Sequence, residues 1–360
     1  MVKVLMINYE YPPLGGGTGI AGYYLLREFK KLPVKVDLLT AKLAKNKNLH
    51  HQSYWDLLRF FWHSTIRTLK HRREYDLIHA FSGLPGSVTA WLSGKPYLVS
   101  FRGADEPGYE PRHVLLWKLI KPLMGYIYRR AGSRDANSQY LKKLVLKSWP
   151  DLKIKVISNG VDTNKFYPAK KPVKQPIILC TSRFGARKGV DYLIKAMALI
   201  PKAHLWLAGS GVLEPQLKQL VKQLHLSRRV KFLGLIPHNR LPALYRRARL
   251  FVLPSLSESQ SNSLMEALAS GLPVVATNIG GNPELVNNHN GILVPPGNSQ
   301  ALAGAINQAL NINWPKISLN QKFSWQETVN EYLKFYQQYN HPKLGYKSGE
   351  LGHSDANRWD

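Results

Sequence analysis

Two carboxylates, Glu258 and Glu266, are separated by seven residues, the first in a serine-rich loop and the second inside the helix pattern that follows. A loop carboxylate can accept one set of hydroxyls while a carboxylate a turn or two along a helix takes another. The backbone amides near Ser261, Asn262 and Ser263 can receive a phosphate or sugar oxygen. As a bare pair, two glutamates at this spacing are usually solvated surface charges, so their neighbours decide. Arg183 and Lys188 follow a strand pattern at the carboxyl edge, where open α/β sheets bind ligands. Cations at a helix start oppose its dipole unless an anion joins them, and this pair suits a diphosphate, Arg as a fork and Lys as a point charge. Gly15, Gly16 and Gly17 lie between a strand and a helix pattern. Glycine there lets backbone amides approach an anion at a helix N-terminus, though a tight turn without ligand fits equally. The run matches neither the dinucleotide spacing G-x-G-x-x-G nor the Walker Lys-Ser/Thr pair.

The elements that must carry these groups alternate. Strand patterns over Lys3 to Asn8, Val34 to Thr40, Asp76 to Ala80 and Tyr97 to Phe101 are interleaved with helical patterns, and Pro12, Pro13 and the glycines break the first. A second set follows the loop Ser158 to Pro172, which reads as an interdomain connection. Its six strand candidates are Ile177 to Thr181, His204 to Ala208, Val230 to Leu233, Leu250 to Leu253, Val274 to Thr277 and Gly291 to Val294. Strands alternating with helices predict mostly parallel, doubly wound sheets. A length of 360 residues suits two such domains. Trp325 to Tyr339 carries apolar and aromatic residues at helical spacing and reads as a closing helix, and the tail over 341–360, rich in Gly, Ser and charge, reads as disordered.

Composition narrows the classes. No apolar run reaches the ~18–20 residues a membrane span needs, because Lys118 and Lys121 interrupt the richest stretch. The first residues show no secretory leader pattern. A single cysteine, Cys180, allows neither an internal disulfide nor a cysteine-based zinc cluster, and fits a reducing cytoplasm. The histidines lack an H-E-x-x-H or similar ligand spacing, so no metal is expected, and His79 at a strand end reads as a packed histidine supporting the cleft. Fifty Lys+Arg against 22 Asp+Glu give a formal charge of +28, which favours phosphate-rich partners without choosing among them.

Glu258 and Glu266, followed by Glu266-Ala-Leu-Ala-Ser-Gly-Leu-Pro-Val-Val-Ala-Thr277 and Gly280-Gly281-Asn282-Pro283-Glu284, resemble the family-4 retaining glycosyltransferases of GT-B fold. The opening Tyr11-Pro-Pro-Leu-Gly-Gly-Gly17, Asp76-Leu-Ile-His79, Asn159-Gly-Val-Asp162, Arg183 with Lys188-Gly189, Gly209-Ser-Gly211 and the Trp325 helix keep the family's order along nearly the whole chain. The resemblance implies an α/β fold of two Rossmann-like doubly wound domains facing a central cleft. An acceptor-side domain would span 1–170, with the closing helix 324–340 packing back on it, and a nucleotide-sugar domain would span 171–323.

It further implies a nucleotide-sugar donor, with Arg183 and Lys188 on the diphosphate, Glu266 on the ribose, Glu258 on the sugar hydroxyls, and Gly16 and Gly17 closing onto the same diphosphate. No cofactor or metal is implied, since side-chain cations and helix ends take up the charge of the departing nucleotide diphosphate. Retention by front-face, ion-pair-like substitution leaves no nucleophile to name. The sequence departs from the family at Ser100-Phe-Arg102-Gly103-Ala-Asp105, where many members place a histidine before the glycine. Arg102 there has two readings: it reaches the diphosphate or an acidic acceptor, or it pairs structurally with Asp105 or Glu106. Ser259, Gln260 and Ser261 replace a commonly glycine-rich stretch, which leaves donor-sugar preference open. Base recognition would fall near Leu235 to His238, largely through backbone, so UDP-sugars and GDP-mannose both fit.

Two segments, Tyr54 to Arg73 and Arg112 to Arg130, mix aromatic and basic residues. They can lie on an anionic membrane surface, or their aromatics can be core and their cations merely solvated. With a glycan or lipid-linked acceptor, the first reading places the protein peripherally at the inner face of the cytoplasmic membrane. A nucleotide-dependent epimerase or dehydrogenase would need a dinucleotide fingerprint that is missing. A nucleic-acid-binding protein would need a recognised module, whereas the cations here spread over two α/β domains. A silent nucleotide-sugar-binding relative is disfavoured by the presence of Glu258, Glu266, Arg183 and Lys188.

Overall fold

The computed structural model describes residues 1–12, 16–41, 54–103, 114–170, 173 and 175–339. In the first half, β1 (Val2–Ile7), β2 (Val34–Leu39), β3 (Leu77–Ala80), β4 (Tyr97–Phe101), β5 (Ser133–Ala136) and β6 (Lys155–Val156) form a parallel sheet in the order β2-β1-β3-β4-β5-β6. The helices between them are α1 (Gly17–Phe29), α2 (Tyr54–His71), α3 (Gly86–Leu92), α4 (Val114–Arg130) and α5 (Gln139–Ser148). β1 is central, with Val4 opposite both Val36 and Leu77. Its residues after Lys3 are all buried, as expected of a parallel strand covered on both faces.

The second half repeats the plan. β7 (Ile177–Thr181), β8 (His204–Ala208), β9 (Val230–Gly234), β10 (Leu250–Leu253), β11 (Val274–Thr277) and β12 (Gly291–Val294) form a second parallel sheet, ordered β12-β11-β10-β7-β8-β9. Its helices are α6 (Val190–Ala198), α7 (Glu214–Gln223), α8 (Leu241–Tyr245), α9 (Asn262–Ala269) and α10 (Ser299–Asn311), and α11 (Trp325–Gln337) closes the described chain. The two-sheet α/β architecture is the one the alternation predicts.

Strands β5 and β6 were not predicted. β5 reads Ser-Arg-Asp-Ala and carries no apolar run, and β6 is a two-residue edge strand. Asp135 of β5 is nevertheless fully buried, for a reason given below.

Each sheet has a core on both faces. In the first, α2 to α5 cover one side through Phe60, Ala90, Ile127 and Val145, while α1 and α11 cover the other through Leu25, Phe29, Tyr332 and Tyr336. Thus α11, the last element among the described residues, packs on the first sheet. Its entry is fixed by Ser324, whose hydroxyl accepts from the Glu327 amide at 3.2 Å, by a bridge between Val161 and Ser324, and by Trp325 stacked on Tyr24 with ring centres 5.4 Å apart. The 341–360 tail lies outside the described residues.

Candidate functional site

The loop after β10 presents Glu258 and then the N-terminus of α9, capped by Ser261, whose hydroxyl accepts from the Leu264 amide. The Glu258 carboxylate is buried and accepts from Lys188 Nζ at 2.5 Å and Ser255 Oγ at 2.8 Å. Lys188 ends the single helical turn Ala186–Lys188 ahead of α6, so the cation and the carboxylate neutralise each other. Glu266, on α9, is also buried: His238 Nε2 lies 2.7 Å from one oxygen, and the Tyr245 hydroxyl donates to the other at 3.0 Å. Burial first, and the Glu266 charge second, push the Tyr245 hydroxyl well above its ordinary pKa, so it remains a donor. His238 also meets the Tyr24 hydroxyl, at 3.3 Å, which links the second half to α1.

The glycine loop faces this group from the first half. Gly16 caps α1, and its amide donates to the Glu10 carboxylate at 2.9 Å, an anion already seated at the helix N-terminus. A Cβ on Gly16 would come within 2.7 Å of Arg183 Nη2, so absence of a side chain is what lets the loop and the cation meet. Asn262 Nδ2 donates to the Gly17 carbonyl at 3.2 Å, and Asn262 Oδ1 accepts from Asn159 Nδ2 at 2.9 Å. Ser263 Oγ lies 3.0 Å from Ser261 Oγ. Gly16, Gly17, Arg183 and Asn262 therefore converge, with Glu266 nearby in a small pocket that Tyr24, His238, Asn262 and Trp325 help to line. Gly15 lies outside the described residues.

Arg102 has a different setting from the other candidates. Its side chain is 3% exposed and its guanidinium pairs with Asp135 at 2.9 Å. It donates to the Tyr332 hydroxyl and lies over the Phe81 ring at 4.3 Å. Of its two readings the geometry favours the structural one, with a carboxylate the sequence did not offer; Asp105 and Glu106 lie outside the described residues. Burial raises the Asp135 carboxyl to about 6, with Arg102 and the Ser100 hydroxyl pulling it down. Ser100 Oγ donates to Asp135 at 2.5 Å and sits 2.7 Å from His79 Nε2, while His79 Nδ1 lies 2.6 Å from the Tyr336 hydroxyl. Burial, aided by Arg102, holds His79 well below its ordinary pKa, so it is a neutral hydrogen-bonding partner in this interior network.

The network reaches the cleft through backbone, since the Arg102 carbonyl accepts from Ser259 Oγ at 3.1 Å. The departures after Glu258 thus have partners: Gln260 Oε1 accepts the Asn159 amide at 2.7 Å, and Ser259 Oγ accepts from Asn137 Nδ2 at 3.3 Å. Glu284 accepts the first amides of α5, from Gln139 and Tyr140. Tyr245, Tyr24, Glu10 and Asp135 were missed as contributors to the site and its support, and His238, expected only within a segment facing the base through its backbone, contributes its side chain to Glu266. No spacing signals them: Tyr24, Asp135, His238 and Tyr245 reach their partners across tertiary structure, and Glu10 reaches the Gly16 amide only through the path of the intervening loop. Among the described residues no group of three or more His, Cys, Asp or Glu is placed to hold a metal ion, and no helix is long and apolar enough to cross a membrane.

Two doubly wound halves meeting around a cleft that carries a helix N-terminus, two cations and two buried carboxylates define a GT-B architecture. The Anabaena protein HepE, solved in complex with UDP and glucose, shares this fold with a TM-score of 0.74 at 22% identity, covering 94% of this chain and 100% of that one. Residues 15–165 match Glycosyltransferase Family 4 and residues 162–325 match Glycosyl transferases group 1. An uncharacterized glycosyltransferase of Methanocaldococcus jannaschii is 34% identical over 92% of this chain and 98% of its own length. A phosphatidylinositol N-acetylglucosaminyltransferase component from Arabidopsis thaliana is 25% identical over 91% of this chain and 80% of its own length. The chain belongs to the family-4 glycosyltransferases.

Proposed function

We propose that the protein transfers a hexosyl group, with retention of anomeric configuration and without a metal, from a nucleotide-diphosphate sugar to a glycan or lipid-linked acceptor. The donor is a UDP-sugar or GDP-mannose, and the product belongs to polysaccharide or cell-envelope glycoconjugate synthesis. The work is done in the cytoplasm, peripherally at the inner face of the cytoplasmic membrane. The observation that carries the reading is the convergence of Gly16, Arg183 and Asn262 across the cleft beside the Lys188–Glu258 and His238–Glu266 pairs.

In this reading the donor diphosphate takes the place of Glu10 at the α1 N-terminus and draws Arg183 and Lys188 onto its oxygens. That frees Glu258 to accept sugar hydroxyls, while Glu266, already oriented by His238 and Tyr245, accepts the ribose hydroxyls. The bond from the anomeric carbon to the diphosphate oxygen breaks, with the cations and the helix end taking up the developing charge. The acceptor hydroxyl attacks from the same face and its proton passes to the departing diphosphate oxygen. Arg102 serves as a positioning residue that holds β4 and the Ser259 contact. UDP, a nucleotide diphosphate, is bound by the HepE neighbour, and the Arabidopsis relative belongs to a phosphatidylinositol N-acetylglucosaminyltransferase; both support the proposed substrate classes.

A thermal-shift and calorimetric screen against UDP, GDP, ADP and their sugar conjugates tests the donor site, with Glu266→Ala as control. Selective stabilisation by one nucleotide, weakened roughly tenfold to a hundredfold in affinity by loss of the hydrogen-bonded carboxylate, is expected. No response to any nucleotide would overturn the reading.

A further inference from the structure

Helix α2 is amphipathic in the reverse sense. Ser64, Thr65 and Thr68 are buried on its inner side, where Ser64 and Thr65 hydrogen-bond Thr89 of α3 at 3.2 and 3.0 Å. Its outer side carries Trp55, Leu58, Trp62, Ile66 and Leu69, spaced to form one stripe at helical period, with Trp55 73%, Trp62 61% and Ile66 63% exposed. Packing of the first sheet does not explain this arrangement, because Phe60 alone among the large apolar side chains described on α2 is fully inward. The stripe continues across the layer. Leu119, 75% exposed, and Leu123 and Tyr126 face solvent on α4, and Trp91 of α3 meets Tyr126 edge to face at 6.0 Å.

Charge identifies what the surface fits. Each of Leu58, Trp62, Ile66 and Leu69 is followed at once by an exposed basic residue, namely Arg59, His63, Arg67 and Lys70, which sets a basic stripe beside the apolar one. Helix α4 adds exposed Lys118 and Lys121 and contains no acid, while α2 contains only Asp56. Two copies facing each other through this surface would oppose like charges. We propose that the outer face of α2 and α4 docks on an anionic lipid bilayer, with the apolar stripe in the headgroup boundary and the cations on lipid phosphates. The inference deepens the proposed peripheral location and rests on it, not on the transfer reaction.

The test sediments the purified full chain with phosphatidylcholine vesicles, with and without phosphatidylglycerol, at low and high salt. Wild type should bind the anionic vesicles only, and salt should release it. Trp62→Ala/Ile66→Ser should abolish binding, and Arg59→Ser/Arg67→Ser should weaken it about thirtyfold, from ~1 kcal/mol per surface cation. Both variants should keep the melting temperature and the nucleotide-induced thermal shift of wild type, since none of these residues lies at the cleft. Wild type left in the supernatant, or variants that bind unchanged, would overturn the proposal. So would light scattering that showed a dimer dissociated by the Trp62/Ile66 variant, which would assign the surface to a second copy. Loss of the nucleotide shift in wild type would instead sink the transfer reading and leave the docking surface standing.

Discussion

Replacing Arg102 by Met separates a structural role from a chemical one. In the native fold Asp135 is a fully buried carboxyl with its pKa raised to about 6, and Arg102 is the cation beside it. Because the folded-state pKa is raised, the stability linked to this proton is fully present below the unfolded value and is lost as pH rises through about 6. At neutral pH the charged carboxylate is tolerated because Arg102 lies against it. Removing one member of such a pair costs ~3–5 kcal/mol, since the other charge is left buried. At ~2–4 °C per kcal/mol for a domain of this size, the melting temperature should fall by about 10 °C.

The loss should also depend on pH. Without Arg102 the Asp135 pKa moves further up, so Arg102→Met should be only mildly destabilised at pH ~5, where the carboxyl is protonated in both proteins, and much more so at pH ~8. Arg102→Met/Asp135→Asn should recover most of the loss in a double-mutant cycle. Thermal unfolding across that pH range, followed alongside nucleotide binding, makes the measurement. A variant as stable as wild type at every pH that had nevertheless lost transfer would refute the reasoning and return Arg102 to the substrate.

Glu258→Gln should lower kcat for sugar transfer while leaving the Kd for the bare nucleotide diphosphate close to wild type, because its contacts are proposed to be with the sugar; calorimetry and turnover together read the split. Gly280→Ala should destabilise the protein by ~1–3 kcal/mol, since Gly280 adopts a left-handed φ of 55° and an added Cβ would run into the Glu258 carbonyl; chemical denaturation measures it. Cys180 is buried in the second sheet with its thiol pushed up to about 12, so a thiol reagent should label it only as the protein unfolds.

The apolar strands were legible because parallel strands covered on both faces must be apolar throughout: β4, β7, β8, β10, β11 and β12 fall where the runs predict. β5 escaped for the opposite reason, since its buried Asp135 is solvable only with Arg102, Ser100 and Tyr332 in place, and Tyr332 lies 197 residues away in sequence. In the site, Arg183 and Lys188 stood out by position after a strand and at a helix start, whereas Glu258 and Glu266, as a bare pair ordinary surface charges, were singled out by the family resemblance. That Lys188 and Glu258 would pair, or that His238 and Tyr245 would hold Glu266, depends on loop paths no local pattern encodes. The outer face of α2 was half legible: its mixture of aromatic and basic residues was plain, but which side packs inward became clear only once Ser64, Thr65 and Thr68 were seen beneath it.

The placement of α11 bears on how the chain can be made. Tyr332 and Tyr336 fill the face of the first sheet beside Phe29 and Leu98 and bond its buried polar groups, yet they are among the last described residues to leave the ribosome. Domains generally fold in order of synthesis, N-terminal first. Here the first sheet is born incomplete and stays so while the entire second half is translated, its α1-side surface and the Arg102–Asp135 pair waiting for a helix not yet synthesised. The second half, whose strands and helices are contiguous in sequence, is free to fold ahead of it, and the older part of the protein is finished last.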